Sequence, residues 1–196
     1  MVETAQRRMT LAEFLVWDDG TDTRYELVGG VPRAMAPAYP RHGLMIGNAA
    51  HAIDLRLDDL GTSRTFIGIG TVVGSPDDPG FYVPDVIVSA EPIVDEPGLR
   101  QPQMVVEINS PASGRDAKER KIADYAALPT MQEIWLLQSR RPLMQVWQKR
   151  SGQWEGSLPL LAGQSFESRF LGGAVSVDEF YAGIDFSPKP ASPEAG

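Results

Sequence analysis

The stretch Met104-Val-Val-Glu-Ile-Asn109 decides the fold, because it is an apolar run interrupted by a single carboxylate. Short runs of this kind, rich in β-branched residues, are typical of a buried strand. Residues 110–114, Ser-Pro-Ala-Ser-Gly, break the pattern, and a helix is predicted over residues 117–128, where Pro129 ends it. A buried strand followed by a helix predicts a mixed α/β sheet with helices packed against it.

The segments on both sides of this strand extend the same architecture. A capping box from Thr10 to Glu13 predicts a first helix, and Gly29-Gly30 predicts a tight hairpin whose second strand, with Pro32, lies at a sheet edge. Apolar residues at steps of three and four predict a helix over residues 41–60, and residues 75–80 predict a loop. Strands are predicted over residues 64–74, 81–90, 133–138, 143–149 and 153–158, with closing segments at 165–170 and 175–185.

The length of 196 residues, with 42% hydrophobic and 22% charged residues, predicts one compact domain. We place this domain at residues 9–185, after a flexible N-terminus at 1–8 and before a disordered tail at 186–196 that shows no apolar periodicity. No apolar run approaches the roughly 18 residues of a membrane span, and no apolar signal core follows the first charges. We therefore expect a soluble, cytoplasmic protein without membrane contact.

The composition limits the kinds of site that the chain can build. There is no cysteine, which excludes disulfides, thiolate catalysis and cysteine-based zinc sites, and two histidines disfavour a histidine-rich metal centre. The net charge of −8 argues against coating nucleic acid by bulk electrostatics. Residues 110–150, however, hold eight basic and four acidic residues, so this window is +4 and the rest of the chain is −12. The positive charge of residues 110–150 indicates either a surface that binds an anionic substrate or merely a solvent-exposed helix and hairpin.

Two carboxylates interrupt segments that otherwise look like buried strands: Asp85 in Tyr82-Val-Pro-Asp-Val-Ile-Val88, and Glu107 in the stretch quoted first. A buried carboxylate costs free energy unless it is paired, protonated or bound to a cation. If the two carboxylates are neighbours in the sheet, a divalent ion such as Mg²⁺ between them offsets their repulsion. The alternatives are that Asp85 caps a loop or begins an edge strand, and that Glu107 faces solvent at a sheet edge.

Three more polar residues stand out, and each has a plain structural alternative. Glu26 also fits an exposed cross-strand partner in the hairpin, and His42 also fits a polar cap at a helix start. Lys121 lies among charged residues and also fits a solvated helix position. Their significance depends on whether the fold brings them to Asp85 and Glu107.

Taken together, these motifs resemble a known family. Pro84-Asp85, followed by Glu107 and Asn109, resembles a variant of the PD-(D/E)XK nuclease motif. The wider succession resembles the bacterial Uma-two-like putative restriction endonuclease family over about residues 9–183. The matching segments are Tyr25-Glu-Leu-Val-Gly-Gly30, Pro40-Arg-His42, Pro84-Asp-Val86, Val106-Glu-Ile-Asn-Ser-Pro111, Asp116 with Lys121 and Tyr125, and Leu128-Pro-Thr-Met-Gln-Glu-Ile-Trp135.

The resemblance implies a restriction-endonuclease-like fold of the α/β (α+β) class, a mixed sheet flanked by helices, with an N-terminal helix and β-hairpin. It matches Asp85 and Glu107 to metal-binding carboxylates, and Glu26 to a further acidic residue. Lys121 matches the basic residue that assists the attacking water, and Ile108 is expected to offer its carbonyl to the metal. The supporting residues are His42, Asn109, Arg120 and Tyr125. Arg120 is the alternative to Lys121. Asn109 stands at the position where the wider superfamily has lysine.

The function implied is that of an endonuclease that hydrolyses phosphodiester bonds in nucleic acid, DNA above all, with Mg²⁺ or Mn²⁺. Because nucleases of this kind pair to cut two strands, the resemblance also implies a homodimer. Two rivals stay open. A degenerate nuclease fold would bind nucleic acid or a protein without cleaving, and the Asn109 departure favours it. A hydrolase of a small phosphorylated ligand is favoured by the overall acidity.

Overall fold

The computed structural model describes residues 8–37, 39–57, 61–109 and 115–187, so residues 1–7 and 188–196 of the predicted termini lie outside it. The helices are α1 (Leu11–Leu15), α2 (Pro40–Leu57), α3 (Arg115–Ala126) and α4 (Val177–Tyr181). The strands are β1 (Tyr25–Val28), β2 (Val31–Ala34), β3 (Arg64–Phe66), β4 (Thr71–Ser75), β5 (Asp78–Tyr82), β6 (Val86–Ser89), β7 (Pro102–Asn109), β8 (Glu133–Gln138), β9 (Leu143–Arg150), β10 (Gln153–Gly156), β11 (Leu160–Leu161), β12 (Ser165–Ser168) and β13 (Gly173–Ser176).

Two sheets, joined by the chain between β5 and β6, form the framework. Sheet A has the order β2-β1-β5-β4 and is antiparallel. Sheet B has the order β10-β9-β8-β7-β6-β3, with β11 also on β9, and its strands β7 and β8 are parallel. Strands β12 and β13 form a separate hairpin. The predicted mixed architecture is confirmed, and β2, which contains Pro32, is an edge strand as expected.

The two faces of β7 belong to different cores. Met104, Val106 and Ile108 join the core that contains the buried residues of α2 and α4. Val105 joins a second core, together with Tyr125 of α3 and residues of sheet A. Because successive residues of a strand point to opposite faces, Glu107 shares the face of Val105. Its side chain therefore enters the space between α3 and the two sheets.

The strands predicted over residues 64–74 and 81–90 each break into two, and the halves lie in different sheets. The second break contains Pro84, which has no N–H to continue a ladder. Asp85 stands just before β6, so the prediction that both carboxylates lie on strands is wrong for Asp85. The break carries the chain from sheet A to sheet B, which places Asp85 at their junction.

The loop predicted over residues 75–80 is also wrong, because β5 begins at Asp78 and pairs with β4. The strand tolerates Gly80 because the backbone approaches β4 closely: a Cβ atom on Gly80 would lie 2.5 Å from Val73 Cγ2. The other elements agree with prediction within a few residues, although residues 58–60 of the helix predicted over 41–60 lie outside the described chain. Among the described helices, none is long and apolar enough to cross a membrane.

Candidate functional site

A polar cluster fills the space where β7, α3 and the β5–β6 break meet. Its acidic and basic members are Glu26, Asp85, Glu107 and Lys121, which we call the carboxylate–lysine cluster. Two further side chains hydrogen-bond to it from α2 and α3, namely His42 and Tyr125. The fold thus brings together six of the residues that the sequence singled out.

The Asp85 carboxylate is held at both of its oxygens. Its Oδ2 accepts a 2.6 Å hydrogen bond from the backbone N–H of Ile108, and its Oδ1 lies 2.8 Å from His42 Nε2. The hydrogen bond to Asp85 raises the pKa of His42, although burial opposes the shift. Because the N–H and C=O of one strand residue point to the same neighbouring strand, the Ile108 carbonyl is directed toward the side where Asp85 lies.

The Glu107 carboxylate is 13% exposed and is held by α3. Its Oε1 accepts hydrogen bonds from Tyr125 Oη at 2.7 Å and from Lys121 Nζ at 3.0 Å. Burial raises the pKa of Glu107; Lys121 opposes this shift, and the negative charges of Asp85 and Glu26 add to it. The pKa of Glu107 is thus raised chiefly because its carboxylate is buried, and the positive charge of Lys121 does not fully cancel that effect.

Lys121 links Glu107 to sheet A. Its Nζ lies 2.8 Å from Glu26 Oε1, which also accepts a 2.8 Å hydrogen bond from the N–H of Val83. Burial lowers the pKa of Lys121, but Glu107 and Glu26 outweigh it, so the net shift is upward. The side chain is therefore an ammonium at neutral pH. It is suited to orienting a water or an anion, and it is a poor proton acceptor in the free protein.

Arg120 does not join the cluster. Its Nη2 lies 2.6 Å from Asp78 Oδ2, and its Nε lies 3.4 Å from Asp124 Oδ2, so it connects α3 to sheet A on another side. A step of one residue along a helix turns the side chain by about 100°, and this separates Arg120 from Lys121. Of the two basic residues that the sequence offered, the structure places Lys121 among the carboxylates.

Asn109 lies in the strand two residues after Glu107 and is 7% exposed. Its Nδ2 has no hydrogen-bond partner among the described residues. By the strand alternation it shares the face of Glu107. An amide donates hydrogen bonds but carries no charge, so Asn109 leaves Lys121 as the cation of the cluster.

The sequence did not identify the contacts that hold α3 in place. Tyr82 Oη donates to Asp124 Oδ2, and the rings of Tyr82 and Tyr125 pack edge to face at 5.6 Å. The Lys121 ammonium lies 5.3 Å from the centre of the Tyr82 ring. Asp124 lies three residues after Lys121, on the same side of α3, and this spacing is the signal in the sequence that places Asp124 near the cluster.

The donor set fits a hard divalent cation with two carboxylate ligands. Within the described residues, no group of three or more His, Asp or Glu side chains is arranged to hold an ion. Lys121 Nζ lies between two of the carboxylates, Glu26 and Glu107, and bonds to both. Mg²⁺ is commonly bound by one or two carboxylates and keeps several waters. The hydrogen bonds to Glu107 in the described chain all end on Oε1, which leaves Oε2 for a cation.

Comparisons with known proteins agree with this picture. A family model described as "Uma2: Putative restriction endonuclease" matches residues 11–178. The crystal structure of a putative nuclease belonging to DUF820 from Anabaena variabilis ATCC 29413 is similar, with a TM-score of 0.70 and 18% sequence identity, over 88% of this chain and 97% of that chain. The predicted fold class is thereby confirmed, whereas no curated protein matches. Since the family model spans most of its length, the chain belongs to the Uma2 family.

Proposed function

We propose that the protein is an endonuclease that hydrolyses phosphodiester bonds in nucleic acid, DNA above all, with Mg²⁺ or Mn²⁺. The observation that supports this most is the placement of two carboxylates at neighbouring residues of β7. Asp85 accepts a hydrogen bond from the N–H of Ile108, and Glu107, the residue before Ile108, accepts one from Lys121. A cation and an ammonium side by side suit the charge that develops on a phosphate during hydrolysis. The family's description as a restriction endonuclease and the nuclease title of the similar structure support the same reaction class.

In this proposal Asp85, Glu107 and the Ile108 carbonyl hold the cation, and Glu26 contributes negative charge nearby. When bound, the cation supplies an acidified water and neutralises charge on the phosphate. Lys121 Nζ orients that water and stabilises the anionic transition state. His42 holds Asp85 through its 2.8 Å contact, and Tyr125 holds Glu107 through its 2.7 Å hydrogen bond. Fixed ligands lose less freedom when the cation binds.

A catalytically degenerate binding module is the second candidate, and Asn109 favours it. The amide stands at the strand position where the wider superfamily has its lysine, and because an amide carries no charge, the proposed activity depends on Lys121 reaching the site from α3. Nucleic acid or another protein would then bind without being cleaved.

One assay distinguishes these functions. The purified protein is incubated with supercoiled plasmid, single-stranded DNA, RNA and a small phosphate ester, in Mg²⁺, in Mn²⁺ and in EDTA. We expect cleavage of DNA that requires the divalent ion. DNA binding without cleavage, unchanged by EDTA, would favour the binding module, and turnover of the ester alone would favour a small-ligand hydrolase. The proposal extends to a homodimer, which light scattering during size-exclusion chromatography tests.

Replacing Lys121 with Met is expected to lower the cleavage rate by about 100- to 1,000-fold, the usual loss when one stabilising charge is removed from a transition state. Divalent-ion binding, measured by calorimetry, should be retained or tightened, because an ammonium that competes for Glu107 is gone. The matched control is Lys118→Met on the same helix, for which we expect wild-type rates. Cleavage that stays within a few-fold of wild type in the Lys121 variant would remove this residue from the proposal.

Replacing Tyr125 with Phe should raise the concentration of Mg²⁺ needed for half-maximal cleavage by about 10- to 100-fold, because the hydroxyl orients a metal ligand rather than touching the metal. At saturating Mg²⁺ the rate should return toward that of the wild type. Tyr25→Phe, which removes a hydroxyl bonded to Asp19 instead, serves as the control. An unchanged Mg²⁺ requirement in Tyr125→Phe would contradict the positioning role.

A further inference from the structure

An exposed turn with two arginines lies beside the carboxylate–lysine cluster. Arg140 and Arg141 lie in the turn between β8 and β9, and both side chains are exposed. The residue before them, Ser139, donates its N–H to the carbonyl of Asn109 at 3.1 Å, and Gln138 pairs with Asn109. The turn therefore begins at the end of β7 that carries Glu107. With a rise of about 3.3 Å per residue and about 4.8 Å between strands, the arginine backbone lies within roughly 15 Å of the Glu107 backbone.

The base of the turn is held rigidly by one tyrosine. Tyr181 Oη donates to the carbonyl of Leu143 at 2.7 Å and accepts from the N–H groups of Gln138 and Leu143 at 3.2 Å each. It thus joins the two strand ends on either side of the arginines. A turn fixed in this way loses little conformational freedom when its side chains bind a ligand.

A third arginine extends the basic surface toward His42. Arg41 directly precedes His42 in α2, and its guanidinium lies 5.2 Å from the centre of the Phe186 ring. The Phe186 ring in turn contacts the ring of Tyr181 at 5.7 Å. A continuous line of contacts therefore runs from the start of α2 to the base of the arginine turn. We call Arg41, Arg140 and Arg141 the arginine rim.

The rim differs from the other basic residues of the 110–150 window. Arg120 and Lys121 are paired with carboxylates, whereas Arg140 and Arg141 have no carboxylate partner among the described residues. Arg41 lies beside one acid, Asp185, whose carbonyl accepts its hydrogen bond and whose pKa is lowered, mainly by Ser187 with a smaller effect of Arg41. Within the part of the chain that the structure describes, none of the three guanidinium groups of the rim forms a salt bridge, so they keep their positive charge for an anionic ligand.

We propose that Arg140 and Arg141, with Arg41 beside them, bind backbone phosphates of the nucleic acid and hold it over the carboxylate–lysine cluster. This inference rests on the proposed function and adds to it the surface that binds the substrate. Guanidinium groups form bidentate hydrogen bonds with phosphate oxygens, and such contacts fix the position of a duplex without reading its sequence. The arginine rim also supplies the positive charge that phosphate binding requires at one place on the surface, although the net charge of the protein is −8.

The test compares two double variants that remove the same charge. One is Arg140→Gln with Arg141→Gln. The control is Lys149→Gln with Arg169→Gln, two cations that line one cavity at the other end of β9. Binding of a labelled DNA duplex is measured by fluorescence anisotropy in EDTA over a range of salt concentrations. For the arginine variant we expect affinity about tenfold weaker, and a salt dependence of log K lower by about 2, one for each phosphate that the variant no longer binds.

Cleavage kinetics supply a second readout, in which the arginine variant should show a raised KM and an unchanged kcat. If the wild type neither binds nor cleaves nucleic acid, the proposed function fails, and this inference fails with it. If the wild type binds DNA but the two double variants weaken binding equally, only bulk charge matters and the arginine rim alone is overturned. The arginine rim is also overturned if the arginine variant binds DNA as tightly as the wild type.

Discussion

Replacing Glu107 with Gln, or Asp85 with Asn, is expected to lower metal-dependent DNA cleavage by at least about 1,000-fold. Each substitution keeps the size of the side chain but removes the negative charge that would hold the cation, so the acidified water and the neutralisation of the phosphate are lost together. Folding should be preserved. Burial already raises the pKa of Glu107, so a neutral side chain in its place should cost little free energy of folding. Initial rates on supercoiled plasmid, with circular dichroism as a check of folding, measure the effect.

The matched control for these variants is Glu119→Gln, which removes the charge of an exposed carboxylate on α3. It should cleave at the wild-type rate. Calorimetry should show that divalent-ion binding is lost in the Asp85 and Glu107 variants and kept in the control. Metal-dependent cleavage that persists in both site variants would place the reaction elsewhere in the molecule.

Replacing Glu133 with Ala is expected to lower the free energy of unfolding by about 3 to 5 kcal/mol, because several hydrogen-bond donors lose their acceptor at once. Glu133 is fully buried, and its two oxygens accept hydrogen bonds from five donors. The donors are Trp135 Nε1, Gln148 Nε2, Ser168 Oγ and the N–H groups of Arg169 and Phe170. Alanine removes the acceptor of the buried donors Trp135 Nε1 and Ser168 Oγ and of the partly buried N–H groups, and each buried group left unsatisfied costs about 1 to 3 kcal/mol. Gln148 Nε2 keeps the carbonyl of Glu167 as an acceptor.

Urea denaturation measures this loss, which corresponds to a melting temperature lower by roughly 6 to 20 °C for a chain of this size. The control is Glu167→Ala, an exposed glutamate in β12 whose side chain accepts no hydrogen bond among the described residues. A loss below about 1 kcal/mol for the Glu133 variant would show that solvent or a shifted backbone satisfies the five donors.

Glu107 and Glu133 illustrate how far the sequence can be interpreted. Each is a glutamate in a strand of apolar residues, but only Glu107 was singled out from the sequence, whereas the structure buries Glu133 fully and Glu107 largely. The structure distinguishes them by their partners. Both oxygens of Glu133 are occupied by donors from the protein, so it has no place for a cation. Glu107 keeps one oxygen without a partner among the described residues and stands near two other carboxylates.

The backbone donors that hold the cluster could not be predicted from the sequence. Asp85 and Glu26 are bonded by the backbone N–H groups of Ile108 and Val83, and any residue except proline can supply such a group. The sequence also could not show whether Arg120 or Lys121 reaches the carboxylates, because this depends on the rotation of α3 against the two sheets. The motif order, by contrast, was enough to predict the family, and it singled out the carboxylates and the lysine that the fold brings together.

The two sheets could not be separated from the sequence. The strands on either side of Pro84 look continuous in hydrophobicity, and only the missing N–H of proline hints that the chain changes sheets there. That change of sheet is what moves Asp85 off the strand and beside Ile108. The interruption of the predicted strand at Pro84 thus places Asp85 in the site.

The most direct test of the proposed site is the position of a bound Mn²⁺ ion. Crystals of the protein soaked in Mn²⁺ would be measured at a wavelength where manganese scatters anomalously. We predict an anomalous peak for an ion that is bound by oxygens of Asp85, Glu107 and the Ile108 carbonyl. The distances from the ion to these oxygens should be about 2.0 to 2.2 Å, as expected for a small divalent ion. No peak between Asp85 and Glu107 at saturating Mn²⁺, in a protein that cleaves DNA only when Mn²⁺ is present, would contradict the assignment of this site.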